Sequence, residues 1–211
     1  MLKFVLVALT VALVKADLPD GRQLASPEIG LCHQKSLHET GPDGKGYFFS
    51  WRDLGLKNIQ YDWLDARNYC RRRCMETVSI ETSVKNDWIK ERLVRDNVKY
   101  IWTSGRKCDF KGCDRPDLQP TDINGWFWTG TLEKLAPSTQ RDQNDWSPTG
   151  GIGLPQPDNR EPKQGGAQEN CLAVLNQFYN DGVHWHDVAC HHVKPFMCEE
   201  SPELFRLVKF L

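Results

Sequence analysis

Apolar residues between positions 62 and 74 recur at steps of three and four, so that Trp63, Ala66, Cys70 and Cys74 share one face of a predicted helix. Arg67, Arg71, Arg72 and Arg73 lie away from that stripe and read as a solvated basic face. A second helix is expected from a Ser83 cap to about Arg95, with Val84, Trp88, Ile89 and Leu93 as its apolar stripe. Elsewhere the pattern is short and β-prone. Tyr47–Trp51, Tyr100–Trp102, Trp126–Trp128, Cys171–Leu175, Val183–Val188 and Phe196–Cys198 are aromatic or β-branched runs bounded by turn residues. Two helices and several short strands predict an α+β domain, with Trp51, Trp63, Trp102, Trp126, Trp128 and Trp185 in its core.

Three segments fall outside this pattern. Residues 17–45 carry Pro19, Pro27 and Pro42 among few apolar groups, which suggests an extended arm tethered only at Cys32. From Gly130 to Cys171 the chain collects Pro137, Pro148, Pro155, Pro157 and Pro162. A connection this long in a compact domain is commonly functional, and Trp146 and Cys171 argue that it is folded. The apolar tail from Leu204 to Leu211 is too short to span a membrane; it either docks on the domain or binds a partner.

Composition narrows the class. With 39% hydrophobic and 26% charged residues among 211, the chain is that of a packed globular protein. Lys and Arg number 27 against 28 Asp and Glu, so no global positive field exists to gather nucleic acid. Met1 to Ala16 reads as a secretory signal peptide: Lys3 begins it, Phe4 to Val14 is apolar, and Val14-Lys15-Ala16 is a cleavage site. The apolar stretch is roughly half the ~20 residues of a membrane span. A secreted, extracellular chain meets an oxidising environment. Cys32, Cys70, Cys74, Cys108, Cys113, Cys171, Cys190 and Cys198 are therefore read as disulfides, ahead of zinc ligand pairs at Cys70/Cys74 and Cys108/Cys113. Their number alone leaves many pairings open.

The order Gln156-Pro157-Asp158, Glu169-Asn170-Cys171, Trp185-His186-Asp187, Cys190 and Cys198 resembles the C-type lectin family. Trp63-Leu64-Asp65-Ala66-Arg67 before Cys70, Ile101-Trp102-Thr103, the run from Trp126 to Gly130, and Trp146 extend the resemblance. It looks like the secreted single-domain lectins of arthropods. The implied organisation is a signal peptide at 1–16, an N-terminal arm at 17–45, a C-type lectin-like domain at 46–200 and a C-terminal tail at 201–211. The implied fold has two helices, short antiparallel sheets and a long binding loop, stapled by disulfides. By resemblance Cys70 is bonded to Cys198 and Cys171 to Cys190; the others then pair most simply as Cys108 with Cys113 and Cys32 with Cys74. Long members of the family usually pair two cysteines within their extension, and this chain has only Cys32 there.

The same resemblance assigns chemistry. Calcium takes about six to eight oxygen ligands. Gln156, Asp158, Glu169 and Asp187 would supply them, with Pro157 held in cis so that Gln156 and Asp158 address one ion. Gln156, Asp158, Glu169, His186 and Asp187 would contact sugar, and Gln-Pro-Asp goes with galactose-type ligands in the family. His186 departs from the pattern, since the family carries Asn there and an imidazole nitrogen replaces an amide oxygen poorly on a hard cation. Asn159 and Asn170 stand where members with a second calcium site carry carboxylates. A transition-metal site can be drawn from His184, His186, His191, His192 and Asp187, and a hydrolase from Asp158, Glu169 and Asp187. The leading expectation is a non-enzymatic, secreted, calcium-dependent glycan-binding protein. The alternative is a calcium-independent extracellular matrix or adhesion module of the same fold.

Overall fold

The computed structural model describes residues 21–56, 59 and 61–208. The expected signal peptide, and residues 209–211 of the tail, lie outside the described residues. In chain order the elements are α1 (Ile29–His33), β1 (Glu39–Thr40), β2 (Gly46–Phe49), α2 (Trp63–Arg72), β3 (Met75–Thr77), α3 (Ser83–Arg95) and β4 (Tyr100–Lys107). There follow α4 (Thr121–Asn124), β5 (Trp126–Trp128), β6 (Cys171–Asn176), β7 (Val183–Val188), β8 (Met197–Glu200) and α5 (Pro202–Val208). The architecture is α+β. One antiparallel sheet runs β1-β2-β8-β3 and the other β5-β4-β6-β7.

Each main helix begins where a side chain can take a free backbone N–H. Asp62 accepts from Asp65 N at the start of α2. For α3 that role falls to Thr82, which accepts from Lys85 N, and the expected cap Ser83 is already helical. The α3 stripe also differs: Ile89 and Leu93 are buried, Trp88 is partly buried, and Val84 is 62% exposed. Trp63, Ala66 and Cys70 pack with Trp102, Cys171, Phe196 and Cys198 in one apolar cluster. Trp126, Trp128, Trp146 and Trp185 anchor a second, on which Trp51 is only partly buried.

The basic face of α2 is not simply solvated. Cys74, with φ of 57°, reverses the chain into β3 and brings Glu76 back against the helix. Arg67 is buried there, its Nε 3.0 Å from Glu76 Oε2 and its terminal nitrogen donating to Thr129 O at 2.9 Å. Arg71 pairs with the other Glu76 oxygen. A buried carboxylate thus converts two arginines into core ligands.

Four disulfides join Cys32–Cys74, Cys70–Cys198, Cys108–Cys113 and Cys171–Cys190, and no cysteine is free. All four cysteines of the weighed zinc pairs are therefore bonded sulfur. The arm is held at more points than Cys32. Ala25 N donates to Asn68 Oδ1 at 2.7 Å, Glu28 N to Arg72 O at 2.9 Å, and β1 adds an edge strand to β2. The tail docks: Leu204 and Val208 of α5 are buried against the Cys32–Cys74 bridge. Among the described residues no helix is long and apolar enough to cross a membrane.

The Cys70–Cys198 bridge spans 128 residues and the Cys108–Cys113 bridge 5. Chain-entropy scaling predicts that serine replacement of both cysteines costs about 5 kcal/mol at the long bridge and about 2 kcal/mol at the short one. Urea unfolding of the two double variants checks the order; equal losses would contradict it.

Candidate functional site

The site is assembled where the long loop meets the ends of β6 and β7. In the antiparallel ladder Leu172 faces Asp187 and Ala173 faces His186, so Glu169, just before β6, comes beside Asp187 near the end of β7. Cys171–Cys190 locks the two strand ends together. Trp146 forms a parallel bridge with Trp185, and Gln156 N donates to Ser147 O at 2.8 Å, which folds the loop back onto β7. Gln156–Pro157 is cis.

Four consecutive backbone N–H groups then close on two carboxylates. Asp158 N and Asn159 N donate to the two Asp187 oxygens at 3.1 and 2.8 Å. Arg160 N and Glu161 N both donate to Glu169 Oε2, the latter at 3.3 Å. Asn159, with φ of 46°, turns the chain between the two pairs and returns its Oδ1 to Glu169 N at 2.9 Å. Asn159 is thus a loop fastener, and Asn170 donates to Asp109 Oδ2 at 2.8 Å.

One carboxylate oxygen from each of Asp158, Glu169 and Asp187 lies within 4.8 Å of the others. Burial and then the Glu169 charge push the Asp187 carboxyl up to about 7, and burial raises Glu169 as well. Among the described residues neither carboxylate is ion-paired with a basic side chain, and the largest influences on both are burial, backbone N–H groups and neighbouring acids. Asp158 Oδ2 is buried without a hydrogen-bond partner. The three acids and Gln156 line a cleft of about 140 Å³ that also includes His186, Arg160, Lys194, Tyr100, Phe178 and Tyr179.

His186 is in the cleft wall but turned to another acid. Its Nε2 lies 3.0 Å from Asp181 Oδ2, out of line for a hydrogen bond. Burial holds its imidazole down to about 4, so the ring is neutral near neutral pH. His184 is 2.8 Å from Asp145, and of the four histidines only His191 and His192 fall in one group of metal-ligating side chains among the described residues. Sequence reasoning missed Asp181, which is bonded by Ser147 Oγ, and the pair Phe178-Tyr179. The signal for the pair was two adjacent aromatics in a polar turn between β-prone runs.

Residues 59–200 match the lectin C-type domain, and the chain belongs to that family. Solved structures similar to it include the mouse scavenger receptor C-type lectin carbohydrate-recognition domain, at 21% identity and TM-score 0.49 over 74% of this chain and 90% of that one. The cow CD23 carbohydrate-recognition domain, in the presence of a GlcNAc2Man3 oligosaccharide, is 20% identical with TM-score 0.47, over 74% and 88% of the two chains. The calcium-free form of a Ca2+-dependent type II antifreeze protein is 20% identical with TM-score 0.48, over 75% and 94%.

The buried groups give a pH test in chelator. The raised Asp187 carboxyl binds its proton more tightly folded than unfolded, so its contribution is present below about pH 4 and lost as pH rises to about 7. The depressed His186 works the other way: its contribution is present above about pH 6.5 and lost as pH falls to about 4. The two oppose each other in the parent. His186→Asn is expected to lose urea stability between pH 4 and 7, and Asp187→Asn to gain it, each relative to the parent. Parallel profiles for all three proteins would refute the assignment.

Proposed function

We propose that this chain is a secreted, extracellular carbohydrate-binding protein that acts by binding alone, with one calcium ion and a galactose-type sugar at the cleft beside β7. The lectin domain occupies about 46–200, with the arm and tail as its fastened edges, in the manner of secreted single-domain lectins. The carrying observation is the triad of Asp158, Glu169 and Asp187. Three acid groups converge, two of them buried; among the described residues neither Glu169 nor Asp187 is ion-paired with a basic side chain, and Asp158 Oδ2 has no hydrogen-bond partner.

This donor set fits calcium, a hard cation that takes carboxylate and amide oxygens. Asp158, Glu169, Asp187 and Gln156 would hold the ion, and bound calcium supplies a centre on which sugar hydroxyls replace water. His186 is outside the ligand set on this reading, because its ring faces Asp181. It shapes the cleft wall instead.

The chain's own residues do the rest. Backbone N–H groups 158–161 fix the carboxylates in place before ligand arrives, which removes ordering cost from binding. Gln156 and Asp158 put an amide and a carboxylate on the two sides of Pro157, a pair that distinguishes donor from acceptor hydroxyls. Phe178 and Tyr179 are 48% and 39% exposed at the cleft, where an aromatic face can cover the C–H face of a sugar ring.

The protein is expected to be retained on immobilised galactose in calcium and released by chelator. Tyr179→Ala should weaken retention about tenfold, on the order of 1.4 kcal/mol, while calcium affinity stays unchanged. Retention that ignores chelator, or that is absent in calcium, would favour the calcium-independent matrix or adhesion module.

A further inference from the structure

A second group of metal-ligating side chains lies at the outer edge of the cleft. His191 and His192 follow Cys190 in a turn that is fixed three times: by the Cys171–Cys190 disulfide, by His192 N donating to Ala189 O at 3.1 Å, and by Trp63 N donating to Cys190 O at 3.0 Å. Their rings stack, with centroids 4.7 Å apart and planes 26° from parallel. Opposite them stands Glu161, at the start of the 3-10 turn Glu161–Gln164 of the long loop. Its Oε1 is 2.6 Å from His192 Nε2. One ligand atom from each of Glu161, His191 and His192 lies within 4.8 Å of the others.

We propose that Glu161, His191 and His192 hold a divalent transition-metal ion of the zinc type, which straps the long loop to the turn after Cys190. Two imidazole nitrogens and one carboxylate oxygen are a borderline donor set that prefers zinc, cobalt, nickel or copper to calcium. A four-coordinate zinc ion spaces its ligand atoms about 3.3 Å apart. The His192–Glu161 contact must open slightly and the widest separation must close by up to about 1.5 Å, within reach of side chains that are 43% and 27% exposed at His192 and Glu161. His192 gives its Nε2 lone pair to the ion, and the proton now shared with Glu161 moves to Nδ1 or to solvent. Water completes the coordination.

This site is chemically separate from the acid triad and does not depend on calcium or sugar binding there. It nevertheless grips the same loop, because Glu161 N donates to Glu169 Oε2 at 3.3 Å.

The experiment is calorimetric titration of the disulfide-bonded protein, free of any histidine tag, with zinc chloride, together with visible absorption during cobalt titration. His191→Ala, His192→Gln and Asp187→Asn are measured beside the parent. The proposal expects one zinc per chain at micromolar affinity and a cobalt ligand-field band. Each histidine variant should bind at least tenfold more weakly with the band lost, and Asp187→Asn should bind zinc as the parent does. Absence of zinc binding by the parent at millimolar zinc overturns the proposal. So does parent-like binding by both histidine variants, or loss of zinc binding in Asp187→Asn, which would place the ion at the triad.

Discussion

Two buried carboxylates organise the binding end of this molecule. Glu169 and Asp187 sit at the meeting ends of β6 and β7 and accept the four consecutive N–H groups of residues 158–161. A loop of some forty residues with few apolar groups has no core of its own, so its conformation is set by such polar anchors. The anchors are effective because their own positions are rigid. The β6–β7 ladder, the Cys171–Cys190 bridge and the Trp146–Trp185 contact hold the strand ends on the tryptophan cluster.

The arrangement carries an electrostatic cost that backbone donors offset only in part. Asp187 remains pushed up to about 7 because burial and Glu169 act together against its charge. The interior solves the same problem elsewhere with basic side chains: Glu76 is clasped by Arg67 and Arg71, and buried Glu199 by Lys85. At the cleft, among the described residues, neither Glu169 nor Asp187 is ion-paired with a basic side chain. The contrast between ion-paired acids in the core and acids held only by backbone N–H groups in the cleft is what favours a cation at the latter.

Much of the scaffold was legible because it follows periodicity. The three-and-four spacing of Trp63, Ala66 and Cys70 describes α2, and the aromatic or β-branched runs mark β4, β5, β6 and β7. What escaped was long-range polar pairing. Nothing local tells Arg67 that Glu76 will fold back upon it, and the choice of Thr82 over Ser83 as cap depends on the last extended residue, which periodicity does not locate. In the cleft, the resemblance named Gln156, Asp158, Glu169 and Asp187, and these do line one cavity. It could not reveal that His186 faces Asp181, since neither residue's partner is adjacent in sequence. Phe178 and Tyr179 were missed because an exposed aromatic in a turn has no periodic signature.

On the proposed function, the acid triad is an incomplete cation site. Calcium calorimetry on the protein and on Asp187→Asn tests it most directly. The account predicts one calcium ion per chain for the parent and no measurable binding for the variant. Failure of the parent to bind at millimolar calcium, or undiminished binding by Asp187→Asn, would contradict it.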